Sequence, residues 1–92
     1  GYTNCGEVSF SPGSPVDSGH YGVKNIKAMG TSCGKARTVA KAVENHQGGE
    51  NYSQSGFACK AGPMSAQGRA YTCKKKVHST VSVVKFLGVG TG

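Results

Sequence analysis

Thr31-Ser32-Cys33-Gly34-Lys35-Ala36-Arg37-Thr38-Val39-Ala40-Lys41-Ala42-Val43-Glu44-Asn45-His46 is the one stretch of this chain with a helical repeat. Ala36, Val39, Ala40 and Val43 recur at i, i+3, i+4 and i+7 and make a single apolar stripe. Lys35, Arg37, Lys41, Glu44 and Asn45 fall mostly on the other side. Thr31 and Ser32 stand before the stripe, where a hydroxyl can accept from the free N–H groups of a first turn. The pattern predicts a helix from about Cys33 to His46, stopped by Gly48-Gly49, since Gly takes the left-handed conformation that ends helices. A single stripe of small residues can lie close against one face of a mostly antiparallel sheet.

Strand signals flank the helix on both sides. Cys5 to Phe10 reads as a short strand, broken by Ser11-Pro12-Gly13-Ser14-Pro15. His20 to Met29 reads as a second, with imperfect alternation: Tyr21, Val23 and Asn25 interleave with Gly22, Lys24 and Ile26. Glu50 to Ser55 is polar and reads as a loop. Phe57-Ala58-Cys59 opens a third strand, and Gly62-Pro63 and Gln67-Gly68 bracket a turn. Arg69 to Lys74 forms a fourth, with Tyr71 and Cys73 on one face. Val81 to Leu87 is rich in β-branched residues and gives the strongest strand signal; Gly88 to Gly92 reads as a frayed tail. The order is β-β-α-β-β-β. The expected fold is α+β: one α-helix packed on a mostly antiparallel β-sheet of four to five strands, with two disulfides, as a single domain over residues 1–92 and no internal repeat.

The disulfides follow from Cys5, Cys33, Cys59 and Cys73, even in number and too far apart for a CxxC knuckle. Hydrophobic residues make up 36% of the chain and Gly 15 of its 92 residues, so the core is thin and cross-links matter. A turn centred near Ala66 puts Cys59 opposite Cys73, leaving Cys5 to join Cys33. The rival pairing, Cys33–Cys59 with Cys5–Cys73, needs only a one-residue shift of that hairpin. Zinc is the other use of these residues, with Cys59, Cys73 and His78 as the nearest ligand set, but their spacing matches no common zinc pattern. No metal or cofactor is expected. There is no apolar run long enough for a membrane span or a signal-peptide core, so if the chain is exported its signal has been removed. Asn51-Tyr52-Ser53 fits the N-glycosylation pattern.

Eleven Lys and Arg against four Asp and Glu give a net charge of +7, which favours acidic partners such as nucleic acid, teichoic acid or anionic lipid. The densest group is Lys74-Lys75-Lys76, with Lys60 and Arg69 on the same predicted hairpin and Tyr71 between them. A basic surface carrying an aromatic can bind a polyanion or stack on a base or sugar. The competing reading is a solvated Lys-rich strand end that discourages edge pairing.

Two catalytic patterns are weaker. Gly30-Thr31-Ser32-Cys33-Gly34 matches G-x-S-x-G between a strand and a helix, but that nucleophile elbow belongs to a large doubly wound sheet. A helix cap explains the same residues. His20, His46 and His78, with Glu44, Lys74 and Arg69, are the candidates for a small basic ribonuclease, which needs a base, an acid and a cation around one phosphate.

Ile26-Lys27-Ala28-Met29-Gly30-Thr31-Ser32-Cys33, Gly34-Lys35-Ala36-Arg37-Thr38-Val39-Ala40, Gly56-Phe57-Ala58-Cys59, Tyr71-Thr72-Cys73 and Val83-Val84-Lys85-Phe86 together resemble small exported disulfide domains of actinobacteria, over about half the chain. The resemblance implies export, disulfides and an α+β layout, and brings no catalytic residues. The expected function is a secreted, basic, non-enzymatic binding domain at the cell envelope. Its partner would be an anionic polymer, a membrane surface or a protein, held by Lys60, Arg69, Tyr71, Lys74, Lys75 and Lys76. An antimicrobial or killer-type toxin and a small ribonuclease are the rivals.

Overall fold

In the computed structural model, residues 1–10, 16, 21–46 and 51–89 are described. The Ser11–Pro15 break, His20, the Gly48-Gly49 stop, Glu50 and Gly90-Thr91-Gly92 lie outside those residues. The elements are β1 Thr3–Ser9, β2 Gly22–Met29, α1 Cys33–Lys41, a 3-10 helix Ala42–His46, β3 Asn51–Gln54, β4 Phe57–Ser65, β5 Gly68–Val77 and β6 Thr80–Val89. All pairings are antiparallel, in the order β1-β2-β6-β5-β4-β3. The α+β layout is as expected, but the sheet has six strands.

The additional strand is β3, in the stretch read as a loop. Its four residues carry one apolar side chain, Tyr52, which is buried while Asn51 and Ser53 are exposed. Ser55 and Gly56 both have positive φ, 55° and 84°, between Gln54 and its partner Phe57. That is the two-residue turn whose twist matches antiparallel strands, and it sets the β3–β4 register.

Three other expectations need correction. Gly62-Pro63 does not end β4; the pair sits in an irregularity between the Ala61↔Tyr71 and Met64↔Arg69 partners, a place where proline's missing N–H disturbs no ladder bond. Gly88-Val89 is not tail but the end of β6, where Val89 is buried and paired with Gly22. The helix is α only to Lys41. The following 3-10 helix extends the buried stripe, with Ala42 and Val43 buried alongside Ala36, Val39 and Ala40.

The core lies between this helical layer and one face of the sheet. It holds Val23, Ile26, Ala28, Phe57, Tyr71, Val84 and Phe86 from the strands, and Ala36, Val39, Ala40 and Val43 from the helix. Val39 and Val43 are almost wholly buried, each contributing about 1.5–3 kcal/mol of hydrophobic stabilisation. The disulfides are Cys5–Cys33, tying β1 to the first residue of α1, and Cys59–Cys73, joining directly opposed residues of β4 and β5. The β4–β5 turn is Ala66-Gln67, between the partners Ser65 and Gly68, so the expected hairpin centre and the preferred pairing both hold.

Candidate functional site

The helical layer covers one face of the sheet; on the other, Val16 packs over Gly22 at one end, and the remainder is open among the described residues. Which lysines share that open face is set by strand parity. In β5, Tyr71 and Cys73 face the core, so Thr72, Lys74 and Lys76 face out, while Arg69 and Lys75 lie on the core side. In β4, Phe57 and Cys59 face in and Lys60 faces out.

In β2, simple alternation would turn either Val23 or Ile26 outward. Asn25 adopts a positive φ of 54° within a register shift between Lys24 and Lys27. This extra residue lets Val23, Ile26 and Ala28 all be buried, and it turns both Lys24 and Lys27 outward. Phe86 and Val84 are core residues of β6, so Lys85 between them also faces out.

The open face therefore gathers Lys24, Lys27, Lys60, Lys74, Lys76 and Lys85 from four strands. The register aligns them further. Asn4, Lys27, Lys85, Thr72, Lys60 and Asn51 are successive cross-strand partners, forming one polar row across all six strands. At the usual inter-strand spacing the row is roughly 24 Å long. Lys27 and Lys85 are directly opposed, an arrangement that costs stability because like charges repel across a ladder. Lys85 Nζ lies 5.2 Å from the centroid of the exposed Tyr2 ring, a cation–π contact. None of the six lysines pairs with a carboxylate among the described residues. The described acids are Glu7, which accepts a hydrogen bond from the Val16 N–H at 2.9 Å, and Glu44 in the 3-10 helix. The face has an apolar floor: Val83 is buried yet outside the core cluster, flanked in the register by Met29 and Lys74.

Of the residues predicted to bind, Lys60, Lys74 and Lys76 are exposed together on this face. The other three are elsewhere. Tyr71 is 2% exposed, stacked on Phe86 at 5.0 Å and edge-on to Tyr52 at 6.0 Å, so it is a core residue and no stacking platform. Lys75 lies on the core side, its Nζ 5.9 Å from the Phe57 centroid and donating to the Ser55 carbonyl at 3.3 Å. Arg69 is half-buried on that side, with a buried Nε that makes no hydrogen bond among the described residues. Lys24, Lys27, Lys85 and Tyr2 were missed because they join the hairpin only through the β2–β6 and β5–β6 pairings. The irregular alternation around Asn25 was the available sign that β2 carries a bulge.

The Gly30–Gly34 motif takes a structural role. Ser32 is the helix cap, its Oγ accepting from the Lys35 N–H at 3.1 Å, and Cys33 is consumed in its disulfide. His46 stacks on Tyr52 on the core side, whereas Lys74 is on the open face, so the two cannot meet at one phosphate. His78 is at the tip of the β5–β6 hairpin, and His20 lies outside the described residues. The zinc candidates Cys59 and Cys73 are bonded to each other. The phenol of Tyr52 donates to the Val39 carbonyl at 2.7 Å; burial, and secondarily the neighbouring Tyr71, raises its pKa far above the ordinary tyrosine value.

No protein-family model, curated protein or solved structure matches this chain.

Proposed function

We propose that this is an exported, non-enzymatic binding domain whose open sheet face holds an anionic polymer, as at a cell envelope. The observation that carries the reading is the convergence of six lysines from four strands on one face, with no carboxylate partner among the described residues. Folding gains nothing from opposing Lys27 to Lys85, whereas a polyanion laid along the row would neutralise both. Lysine is a flexible point charge without arginine's rigid fork, which suits charge density over a specific sequence of groups. Export is supported by the two disulfides, which persist in oxidising compartments.

The test is retention on an immobilised polyanion such as heparin, as a function of salt. Replacing Lys27, Lys60, Lys74 and Lys85 by Gln should lower the eluting salt concentration severalfold. Replacing Lys35, Arg37 and Lys41 on the helical layer by Gln removes nearly as much charge and should change retention far less. Equal losses from the two sets would mean that net charge alone binds, and the reading would fail.

A further inference from the structure

Resting on that reading, we infer that the polymer is a single-stranded nucleic acid and that the corner formed by Tyr2, Asn4, Lys27 and Lys85 is where a nucleotide seats, its base on the Tyr2 ring and its phosphate between the two ammonium groups. Three observations meet there. The Tyr2 ring is 41% exposed and belongs to the row's β1 end through its contact with Lys85. Lys27 and Lys85 are opposed without an acidic partner among the described residues, and Asn4 continues the same row. The face as a whole offers donors and few acceptors. Lysine has three donors and no acceptor, and apart from lysine the row holds only Asn4, Thr72 and Asn51, the last with its Oδ1 already accepting from the Ala61 N–H at 3.2 Å.

A hydroxyl-rich neutral glycan is held by acceptors as well as donors, and this face offers few acceptors. A phosphodiester chain presents acceptor oxygens, and its unpaired bases supply flat rings for an exposed aromatic, the combination by which single strands are held without regard to sequence. A duplex hides its base faces in the stack and has no use for Tyr2.

The probe is a fluorescein-labelled oligothymidylate of about 20 nucleotides, followed by anisotropy at low salt, with inorganic polyphosphate as a ring-free competitor. Tyr2→Leu should weaken oligothymidylate binding about 5- to 100-fold, the range for losing one stacked base. It should leave polyphosphate binding unchanged, and Tyr2→Phe should retain full affinity. Lys27→Gln with Lys85→Gln should weaken both ligands. If Tyr2→Leu leaves the oligonucleotide affinity unaltered, or if Tyr2→Phe loses as much as Tyr2→Leu, the nucleotide seat is wrong. In that case polyphosphate binding that depends on the lysines would still uphold the polyanion face. If neither polymer binds at low salt, both readings fall together.

Discussion

Tyr52 and Tyr71 show how much a single aromatic side chain does in so thin a core. Tyr52 lies beneath the helical layer, its hydroxyl bonded to the Val39 carbonyl and its ring between His46 and Tyr71. Its raised pKa means that the folded state holds the phenolic proton longer than the unfolded chain does. The stabilisation is therefore complete below the ordinary tyrosine pKa of about 10 and is lost as pH rises above it. Urea unfolding followed from pH 8 to pH 11 should show a steep decline at the alkaline end. Tyr52→Phe should cost about 1–3 kcal/mol at pH 8 by orphaning a buried carbonyl, and should flatten the alkaline decline. Tyr71 belongs with it. Tyr71→Ala should cost about 3–5 kcal/mol, as large-to-small core changes do, whereas Tyr71→Phe should leave retention on polyanions intact. A loss of retention in a folded Tyr71→Phe protein would restore the surface role first read for it.

At the level of the strand pair, opposed charges on β2 and β6 set stability against binding. Lys27→Glu turns a repulsive cross-strand pair with Lys85 into an attractive one, so thermal unfolding should shift upward by a few degrees, the equivalent of about 0.5–1 kcal/mol. The same change should lower polyanion affinity. Movement of both quantities in the same direction would contradict the role assigned to the row. The β3–β4 hairpin offers a separate test, because Ser55 occupies a left-handed position that Asn or Gly adopts more readily. Ser55→Asn should raise stability by a few tenths of a kcal/mol, read from the urea midpoint at constant slope. This hairpin also explains why β3 escaped the reading of the sequence: four residues with one buried side chain carry no periodic signal, and the turn that pairs them lacks the usual Asn-Gly.

For the molecule as a whole, the two cross-links hold different parts together. Cys5–Cys33 closes a loop of 28 residues and Cys59–Cys73 one of 14. On chain entropy alone they contribute about 3.6 and about 3.0 kcal/mol. Replacing Cys5 and Cys33 by Ala should thus cost somewhat more than replacing Cys59 and Cys73, and reduction of both should unfold the domain, as seen by loss of amide dispersion. A domain that keeps its full melting temperature under reductant would remove the main support for export. The charge is likewise a property of the whole: Lys35, Arg37 and Lys41 on the helical layer and the six lysines opposite give the molecule two basic sides, and only one of them is laid out as a row.

Local patterns were enough for the helix, its cap at Ser32 and the Cys59–Cys73 pairing, because each rests on neighbours within a turn or a hairpin; Cys5–Cys33, 28 residues apart, was only what that hairpin left over, and a rival pairing stayed open until the fold decided it. The sorting of the basic residues between two faces was not legible in this way. It depends on β6 inserting between β2 and β5, and on one extra residue at Asn25, both consequences of burying Val23, Ile26 and Val84 under the helix. Long-range packing, by choosing which side of each strand faces inward, decided which charges stand together on the surface.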